Sequence, residues 1–219
     1  MSPYPRADER RIMVERQIAA RGIHDPRVLT AMLEIPRHLF IPPPYDRAAY
    51  EDNPLPIGNG QTISQPYIVA LMTELLHPKD TDNILEIGAG SGYQAAVLSR
   101  LVRRLTTIER ITTVANLART NLKSIGIDNV RVIEGDGTLG YPANAPYDGI
   151  IITAATPDVP RPLLEQLTDG GTLVAPVGGR DIQDLITLHK KGGSFSQESH
   201  GGVRFVPLIG QHGWENKNS

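Results

Sequence analysis

Three glycines and two carboxylates follow predicted strands in the middle of the chain. Gly88, Gly90 and Gly92 lie between the apolar segment NILEI and a predicted helix, where bare backbone and a helix N-terminus can approach a ligand. Glu109 ends the next strand, about 20 residues on, the usual place for a carboxylate that accepts from both ribose hydroxyls. Asp136 ends the third strand, where it can accept from an adenine amino group. Because open α/β sheets bind ligands at the carboxyl ends of their strands, this set predicts a site for an adenosine-bearing ligand.

The spacing of the glycines argues against two common nucleotide sites. A dinucleotide fingerprint would need its third glycine at the position of Tyr93, and a P-loop would need a lysine that this segment lacks. S-adenosylmethionine fits better, because its polar ends are an amino acid and a sulfonium rather than phosphates. We therefore expect it as the cofactor, with S-adenosylhomocysteine as the product. The alternative is that the glycines only allow a helix and a strand to pack closely.

Composition narrows the classes of function that remain. The chain has 219 residues with 22 basic and 24 acidic side chains, so its formal net charge of −2 offers no broad cationic field for nucleic acid or anionic lipid. The lack of cysteine excludes disulfides, a thiol nucleophile and a Cys-based zinc site. The six histidines show no ligand spacing, so we expect no metal. A charged N-terminus and the lack of a long apolar run predict a cytoplasmic protein. We expect a monomer that binds neither nucleic acid nor membrane.

Helices and strands alternate in the pattern from residue 66 onward. Helices are predicted at about 66–77, 92–102 and 111–124 and at PRPLLEQL, between the strands NILEIG, LTTIE, VRVIEG, YDGIIITAA and GTLVAPVG. The end differs, because IQDLITLHKK, a Gly-Gly turn and the stretch from SFSQE to VRFVPLI read as antiparallel strands. The pattern predicts an α/β fold. We expect a doubly wound, Rossmann-like sheet of the class I S-adenosylmethionine-dependent methyltransferase type, with antiparallel C-terminal strands and an N-terminal helical extension.

The first 55 residues do not follow this alternation. A helix predicted at 8–22 ends at Gly22, and a second helix begins after the N-cap Asp25 and stops at Pro36. The proline-rich segment FIPPPYDRAAYEDNPLP is expected to be an ordered connector. The predicted organisation is a helical and proline-rich extension packed on the core (1–55), a methyltransferase domain (56–214) and a disordered tail (215–219).

The segment IGNGQTISQP, residues 57–66, is polar, uncharged and followed by an apolar helix. Ser64 stands before Gln65 and Pro66, which makes it a good helix N-cap on the sequence alone. Hydroxyls and glycine-freed backbone amides can instead satisfy an ionised carboxylate that has left water. From the residues alone, capping is the favoured interpretation and a chemical role is the alternative.

The chain resembles the protein-L-isoaspartate O-methyltransferases in seven segments. In chain order they are LPIGNGQTISQPYIVALMTELL, ILEIGAGSGYQAAVLSRL, IERI, GDG, APYDGIIITAA, GGTLVAPVG and VRFVPL. The first and last are specific to this family rather than to methyltransferases in general. Departures are small, such as Ala89 where the family often has threonine, and Asn59 within the glycine pair.

The resemblance implies methyl transfer from S-adenosylmethionine to the free α-carboxylate of L-isoaspartyl residues, with damaged proteins and peptides as substrates. The ester collapses to a succinimide that reopens partly to L-aspartate, so the implied role is protein repair. By similarity, Ser64 is the active-site serine. The implied substrate-binding residues are Ile57, Gln61, Thr62, Ile63 and Val206, and the expected cofactor-binding residues are Glu86, Gly88, Gly90, Ser91, Gly92, Glu109, Arg110, Asp136 and Gly137.

This reaction requires no catalytic base. The acceptor carboxylate has a reference pKa near ~4 and is ionised at neutral pH, and a sulfonium is already a good leaving group. Catalysis then depends on positioning the reacting groups and excluding water from them. The lack of an Asp-His-Ser constellation is therefore no objection.

Two alternatives remain open at this stage. A methyltransferase of the same fold could act on a small-molecule carboxylate or on nucleic acid, since fold does not fix function. Amino methylation of nucleic acid would favour an Asn/Asp-Pro-Pro-Tyr/Phe motif, whereas the segment here is TAATPDVP. The chain could also be a non-catalytic adenosine-binding or scaffold protein, against which the intact glycine loop, Glu109 and Asp136 argue.

Overall fold

The computed structural model describes residues 4–215, and its main feature is a seven-stranded sheet. The strands are β3 (Asn83–Ile87), β4 (Arg104–Glu109), β5 (Val130–Glu134), β6 (Tyr147–Ile152), β7 (Leu167–Gly178), β8 (Gln183–Lys191) and β9 (Ser194–Val203). Their order is β5-β4-β3-β6-β7-β8-β9. Strands β3 to β7 are parallel, β8 is antiparallel to β7, and β9 is antiparallel to β8. The predicted fold class is confirmed.

A separate two-stranded sheet, six α-helices and several short 3-10 or π-helical turns complete the regular structure of the described residues. The small sheet is a hairpin of β1 (Leu55–Gly58) and β2 (Gln61–Ile63). The helices are α1 (Ala7–Met13), α2 (Pro26–Glu34), α3 (Pro66–Leu76), α4 (Tyr93–Leu98), α5 (Thr112–Ser124) and α6 (Arg161–Gln166).

Both faces of the sheet are buried, which explains the unbroken apolar runs in its central strands. All five residues of β3 are buried. Two consecutive residues of this strand, Ile84 and Leu85, belong to hydrophobic clusters on opposite faces of the sheet. The first cluster also takes side chains from α3, α4 and α5, and the second takes Leu163 of α6. Helices therefore cover both faces, as a doubly wound sheet requires.

The chain leaves β3 in one direction for β4 and β5, and later places β6 on the other side of β3. Such a reversal opens a crevice at the carboxyl ends of the two central strands. Here the backbone N–H of Thr153, just after β6, donates to the carbonyl of Ile87 at the end of β3, with an N···O distance of 2.9 Å. The two strand ends are thereby fixed to each other directly below the glycine loop.

The N-terminal residues contribute to the same core as the sheet. Met13, Ile18, Met32 and Phe40 are all at most 1 % exposed and belong to the cluster formed with α3 and α4. Phe40 meets Tyr93 edge to face, with ring centroids 5.5 Å apart. No separate hydrophobic core forms within the described part of the extension, so its folding is coupled to that of the sheet.

Local predictions in the N-terminal region have mixed outcomes. Asp25 caps α2 as expected, because its carboxylate accepts from the Arg27 N–H at 2.8 Å. The first helix begins as α1 but continues as a π-helical turn (Val14–Ile18) and a 3-10 turn (Ala19–Arg21) before ending at Gly22, whose φ is 97°.

Two predictions farther along the chain are wrong. Helix α4 ends at Leu98 rather than near residue 102. The VRFVPLI segment is not a continuous strand, because β9 ends at Val203. Beyond it, the chain crosses the end of β6 and is held by two backbone bonds with Ala155: the Ala155 N–H donates to Val206 and the Leu208 N–H donates to Ala155. Of the predicted tail, residues 216–219 lie outside the described residues.

The shared core predicts that a single change in the extension destabilises the whole molecule. Phe40→Ala should lower the free energy of unfolding by about 3–5 kcal/mol, because it leaves a cavity against Tyr93. The adjacent Leu39 is 41 % exposed, so Leu39→Ala is the matched control and should change stability little. Urea denaturation followed by circular dichroism would show this, and a two-step transition for the native chain would contradict it.

Candidate active site

The glycine loop after β3 is held by backbone and carboxylate hydrogen bonds. The N–H groups of Gly88 and Ala89 donate to the Ile108 carbonyl, at 2.8 and 3.3 Å. Glu109 accepts from Gly90 N–H at 3.1 Å with one oxygen and from Ile111 N–H at 3.0 Å with the other. This carboxylate therefore joins the loop after β3 to the loop after β4. It retains further acceptor capacity for a ligand's hydroxyls.

Glycine is required sterically at two positions around this loop. Gly88 has φ of 97°, and a Cβ there would lie 2.6 Å from the Thr153 hydroxyl oxygen. At Gly137, a Cβ would lie 2.5 Å from a methyl carbon of Ile87. Side chains at either position would push into the end of β3, where the crevice opens.

Two buried polar side chains near the loop lack partners within residues 4–215. Both carboxylate oxygens of Glu86, which is fully buried, and the Ser91 hydroxyl make no hydrogen bond. Burial raises the pKa of Glu86 from its usual value near 4.5 to about 8; the nearby Thr107 hydroxyl opposes this shift without reaching hydrogen-bond geometry. Unpaired buried polar groups are costly. An unpaired carboxylate fits a cationic amino group, so these residues suit the amino-acid end of S-adenosylmethionine.

Three adjoining cavities lie along this edge of the sheet. The inner cavity, next to the end of β4, is lined by Gln61, Ile87, Gly88, Ile108, Glu109, Arg110, Ile111, Gly137, Ala154, Pro207, Leu208 and Ile209. The middle cavity lies over the glycine loop and is lined by Gln61, Thr62, Ile63, Ser64, Val69, Gly88, Ala89, Gly90, Ser91, Tyr93, Gln94, Glu109, Thr153, Ala154 and Val206. The outer cavity, about 520 Å³ in volume, is lined by Pro54, Thr62, Ser64, Gln65, Ile68, Thr153, Ile182, Gly202, Val203, Arg204, Phe205 and Val206.

Neighbouring cavities share lining residues, and we call the row of three cavities the trough. Gln61, Gly88, Glu109 and Ala154 line both the inner and the middle cavity. Thr62, Ser64, Thr153 and Val206 line both the middle and the outer cavity. The residues expected to bind cofactor and those expected to bind substrate thus meet in the middle cavity.

Four of the predicted site residues do not line the trough. Ile57 is buried beneath the glycine loop, with its Cδ1 3.8 Å from the position of a Cβ at Gly90. Gly92 is the N-cap residue of α4 and packs against α5, and Glu86 is fully buried. Asp136 accepts from Thr138 N–H at 2.9 Å and from Gln211 N–H at 2.7 Å, which ties the last described residues to the sheet. Its role toward an adenine amino group stays a prediction.

The segment IGNGQTISQP forms more than the turn that its composition indicated. It contains a hairpin whose tip residues, Asn59 and Gly60, have φ of 53° and 69°, as two-residue hairpin turns with positive φ require. An Asn-Gly pair between two strands is the sequence signal typical of such a hairpin. The strand after the tip carries Gln61, Thr62 and Ile63 to the trough.

The capping role expected for Ser64 is not what the structure shows. Helix α3 begins at Pro66 with Gln65 in the N-cap position, and no N-cap side chain accepts a hydrogen bond. The Ser64 hydroxyl has no hydrogen bond within the described residues. The helix N–H of Tyr67 donates instead to the carboxylate of Asp52, at 3.2 Å. Ser64 is therefore free to contact a ligand in the middle and outer cavities.

Thr153 is a site residue that the sequence analysis missed. Its hydroxyl lies 2.6 Å from the Gly88 carbonyl oxygen and 3.0 Å from that of Ile87, and it lines two of the cavities. Its place directly after β6, beside the glycine loop in an open sheet, was a usable signal. Ile182 and Phe205 in the outer cavity carried no such signal, because they come from irregular segments.

Residues 4–215 contain neither a metal-binding cluster nor a membrane-spanning helix. No cluster of three or more His, Cys, Asp or Glu side chains is placed to hold a metal ion. No helix in the same range has both the length and the apolar character needed to cross a membrane.

The glycine loop yields a prediction about cofactor affinity. Gly88→Ala should weaken S-adenosylhomocysteine binding at least tenfold by calorimetry, because the new Cβ clashes with Thr153 where the crevice opens. Gly170 has φ of 82° with open space around it. Gly170→Ala is therefore the matched control, with similar backbone strain but unchanged affinity. Equal affinities in both variants would contradict the assignment.

The raised pKa of Glu86 predicts that the stability of the ligand-free protein depends on pH. Its folded pKa of about 8 exceeds the unfolded value near 4.5, so between these limits the folded state binds the additional proton. Its contribution to stability is therefore complete below pH 4.5 and is lost as the pH rises toward 8. Glu86→Gln should gain stability relative to the native protein between pH 5 and pH 8, measured by urea denaturation at both values. A constant difference between the two proteins would contradict this.

Comparison with known proteins identifies relatives over nearly the whole chain. The family model described as protein-L-isoaspartate(D-aspartate) O-methyltransferase matches residues 8–213. The protein-L-isoaspartate O-methyltransferase of Methanoregula boonei is 67 % identical over 98 % of this chain and 99 % of its own length. That of Methanoculleus marisnigri is 56 % identical over the full length of both chains.

Solved structures agree with the sequence relatives. A protein-L-isoaspartate O-methyltransferase structure, 31 % identical, covers 93 % of this chain and 67 % of its own with a TM-score of 0.85. A structure from Plasmodium falciparum, described as the same kind of enzyme in complex with S-adenosyl-L-homocysteine, is 25 % identical and covers 90 % of this chain and 96 % of its own, with a TM-score of 0.77. Since sheet, glycine loop, hairpin and extension all lie within these matches, the chain belongs to the protein-L-isoaspartate O-methyltransferase family.

Proposed function

We propose that this enzyme transfers a methyl group from S-adenosylmethionine to the free α-carboxylate of L-isoaspartyl residues in damaged proteins and peptides. The main support is the wall between the middle and outer cavities. The residues that line both spaces are uncharged and include the hydroxyl-bearing Thr62 and Ser64, whereas Glu109 lines only the middle one of these two cavities and Arg204 only the outer one. An ionised carboxylate leaving water needs donors, and these hydroxyls can donate.

An uncharged wall suits a carboxylate that must act as the nucleophile. A lysine or arginine in contact with it would stabilise the unreacted carboxylate and lower its reactivity, whereas a hydroxyl satisfies it more weakly. Because the carboxylate is already ionised at neutral pH, no side chain has to remove a proton. The residues of the trough contribute by orienting the acceptor and excluding water from it.

The cofactor supplies a methyl group on a sulfonium, which is a good leaving group. On this chain, Glu86 and Ser91 would hold its amino-acid end, and Glu109 would accept from the ribose hydroxyls. Gly88, Gly90, Arg110 and Gly137 would form the surface beneath it, with Asp136 assigned to the adenine amino group. The unpaired buried atoms of Glu86 and Ser91 support the first assignment, although Glu86 lines no cavity. The lining of the inner and middle cavities supports those of Gly88, Gly90, Ser91, Glu109, Arg110 and Gly137. The assignment of Asp136 comes from its place after β5 alone.

The outer cavity supports a peptide as the acceptor. It is about 520 Å³ in volume, and its wall combines the hydroxyls with apolar side chains such as Ile68, Phe205 and Val206. The methyl ester formed there would collapse to a succinimide that reopens partly to L-aspartate, so the proposed role is repair. A monomeric state, a cytoplasmic location and a lack of nucleic-acid or membrane partners stay predictions.

The decisive experiment is transfer of labelled methyl from S-adenosylmethionine to a peptide containing L-isoaspartate, with the same peptide containing L-aspartate as the control. We expect labelling of the isoaspartyl peptide alone. Equal labelling of both peptides, or of neither, would refute the proposal. A small-molecule carboxylate as the real acceptor would appear as label in that compound and none in either peptide.

Ser64→Ala should lower kcat on the isoaspartyl peptide by roughly 10- to 100-fold, the range expected when a hydrogen bond to a charged group is lost. Because Ser64 does not cap α3, the thermal melting temperature should stay within about 1 °C of the native value. Ser196→Ala, an exposed change on β9, serves as the control with unchanged kinetics. A lowered melting temperature with native kcat would show that Ser64 stabilises the fold and would contradict its role in catalysis.

A further inference from the structure

The carboxylate of Asp52 joins the N-terminal extension to the start of α3, beside the trough. One oxygen accepts from Arg21 Nη1 at 2.6 Å and from Gln65 Nε2 at 2.6 Å, and the other accepts from Tyr67 N–H at 3.2 Å. Arg21 also stacks on Tyr67, with its guanidinium carbon 3.5 Å from the ring centroid. Asp52 is 22 % exposed, so the cluster is partly shielded from water.

Asp52 caps the N-terminus of α3, the role that the sequence predicted for Ser64. The first N–H groups of a helix need acceptors from outside the helix, and a negative charge at this end is favourable. The carboxylate reaches the second helical residue, Tyr67, from 15 positions upstream. As a result, the hydroxyl of Ser64 is not consumed by the helix that follows it.

The same carboxylate fixes the orientation of the Gln65 side-chain amide. Because Nε2 donates to Asp52, the acceptor Oε1 is left without a partner in the described residues. Gln65 lines the outer cavity. An amide oxygen held in this way can accept a hydrogen bond from the backbone N–H of a bound peptide. Because it repels a carboxylate, it also favours binding of the substrate carboxylate at the hydroxyls of Thr62 and Ser64.

We propose that Asp52 is a positioning residue for methyl transfer: by capping α3 from the extension it leaves Ser64 to the substrate carboxylate, and by holding Gln65 Nε2 it presents an acceptor to the peptide backbone. This inference rests on the proposed function. Asp52 lines none of the three cavities of the trough, so it acts through Ser64 and Gln65.

The chain contains a matched control for the structural part of this role. Asp25 caps α2 through Arg27 N–H at 2.8 Å, forms an ion pair with the Arg27 guanidinium at 2.8 Å and is 19 % exposed. It lines none of the three cavities of the trough. Asp25→Ala therefore removes the same kind of cap and ion pair, with similar exposure, without reaching the trough.

Asp52→Ala and Asp25→Ala should each lower the melting temperature by about 2–4 °C, the shift expected for one lost cap in a domain of this size. At a temperature where circular dichroism shows both variants folded, only Asp52→Ala should lower kcat on the isoaspartyl peptide, by roughly 10- to 100-fold. In the Ser64→Ala background, Asp52→Ala should add less than about a twofold further loss, since both changes disable the same contact.

Asp52→Asn separates the two parts of the role. Arg21 and Gln65 donate to the same carboxylate oxygen, and Tyr67 N–H donates to the other. The single oxygen of asparagine should therefore stay with Arg21 and Gln65, so the cap of α3 is lost while Gln65 keeps its orientation. We expect kcat to fall roughly as in Asp52→Ala. The KM for the peptide should rise at least fivefold in Asp52→Ala and stay within about twofold of native in Asp52→Asn, with the KM for S-adenosylmethionine unchanged in both.

Native kcat in Asp52→Ala, or losses that multiply in the double variant, would overturn the inference. If Asp52→Ala does not fold, Asp52→Asn decides, and native kcat in that variant would overturn it. An inactive native protein would instead refute the proposed function, so the two failures are distinguishable.

Discussion

The positions of the candidate site residues depend on how strand β3 ends. At Ile87 the parallel pairing with β4 and β6 stops, and three backbone N–H groups, from Gly88, Ala89 and Thr153, are used within a few residues of that point. Because the N–H groups of Gly88 and Ala89 both donate to Ile108, the chain turns sharply after β3. This turn requires the positive φ of Gly88. The glycine loop, the Glu109 carboxylate and the Thr153 hydroxyl then converge on one edge, where the hairpin β1–β2 brings the hydroxyls of Thr62 and Ser64.

The parts of this arrangement that the sequence predicts are the parts governed by local rules. Alternating apolar runs predicted the sheet, because a strand buried on both faces must be apolar throughout, as β3 is. Asp25 was recognised as a cap because it is adjacent in sequence to the helix that it caps. The glycines and Glu109 were recognised because their spacing follows from the geometry of consecutive parallel strands.

The parts that the sequence did not predict depend on contacts between distant segments. Nothing near Ser64 shows that Asp52, within a proline-rich connector, takes the hydrogen bond of α3. The segment after β9 resembles a strand in composition, yet the backbones of Val206 and Leu208 bond to Ala155, just beyond the end of β6, rather than forming a ladder with a neighbouring strand. A distant contact also explains why Asp136 does not line the trough. Its second carboxylate oxygen accepts from the N–H of Gln211, 75 positions farther along the chain.

The direction of β9 has a consequence for how this enzyme family can vary. Because β8 and β9 form a hairpin that leaves the trough and returns to it, the final segment arrives at the carboxyl edge whatever the length of the excursion. The turn at Gly192 and Gly193 lies at the far end of that hairpin. Insertions or shortening there would leave Val206 in place, since its backbone is anchored at Ala155. Evolution can therefore remodel the far end of this outer hairpin independently of the reaction centre.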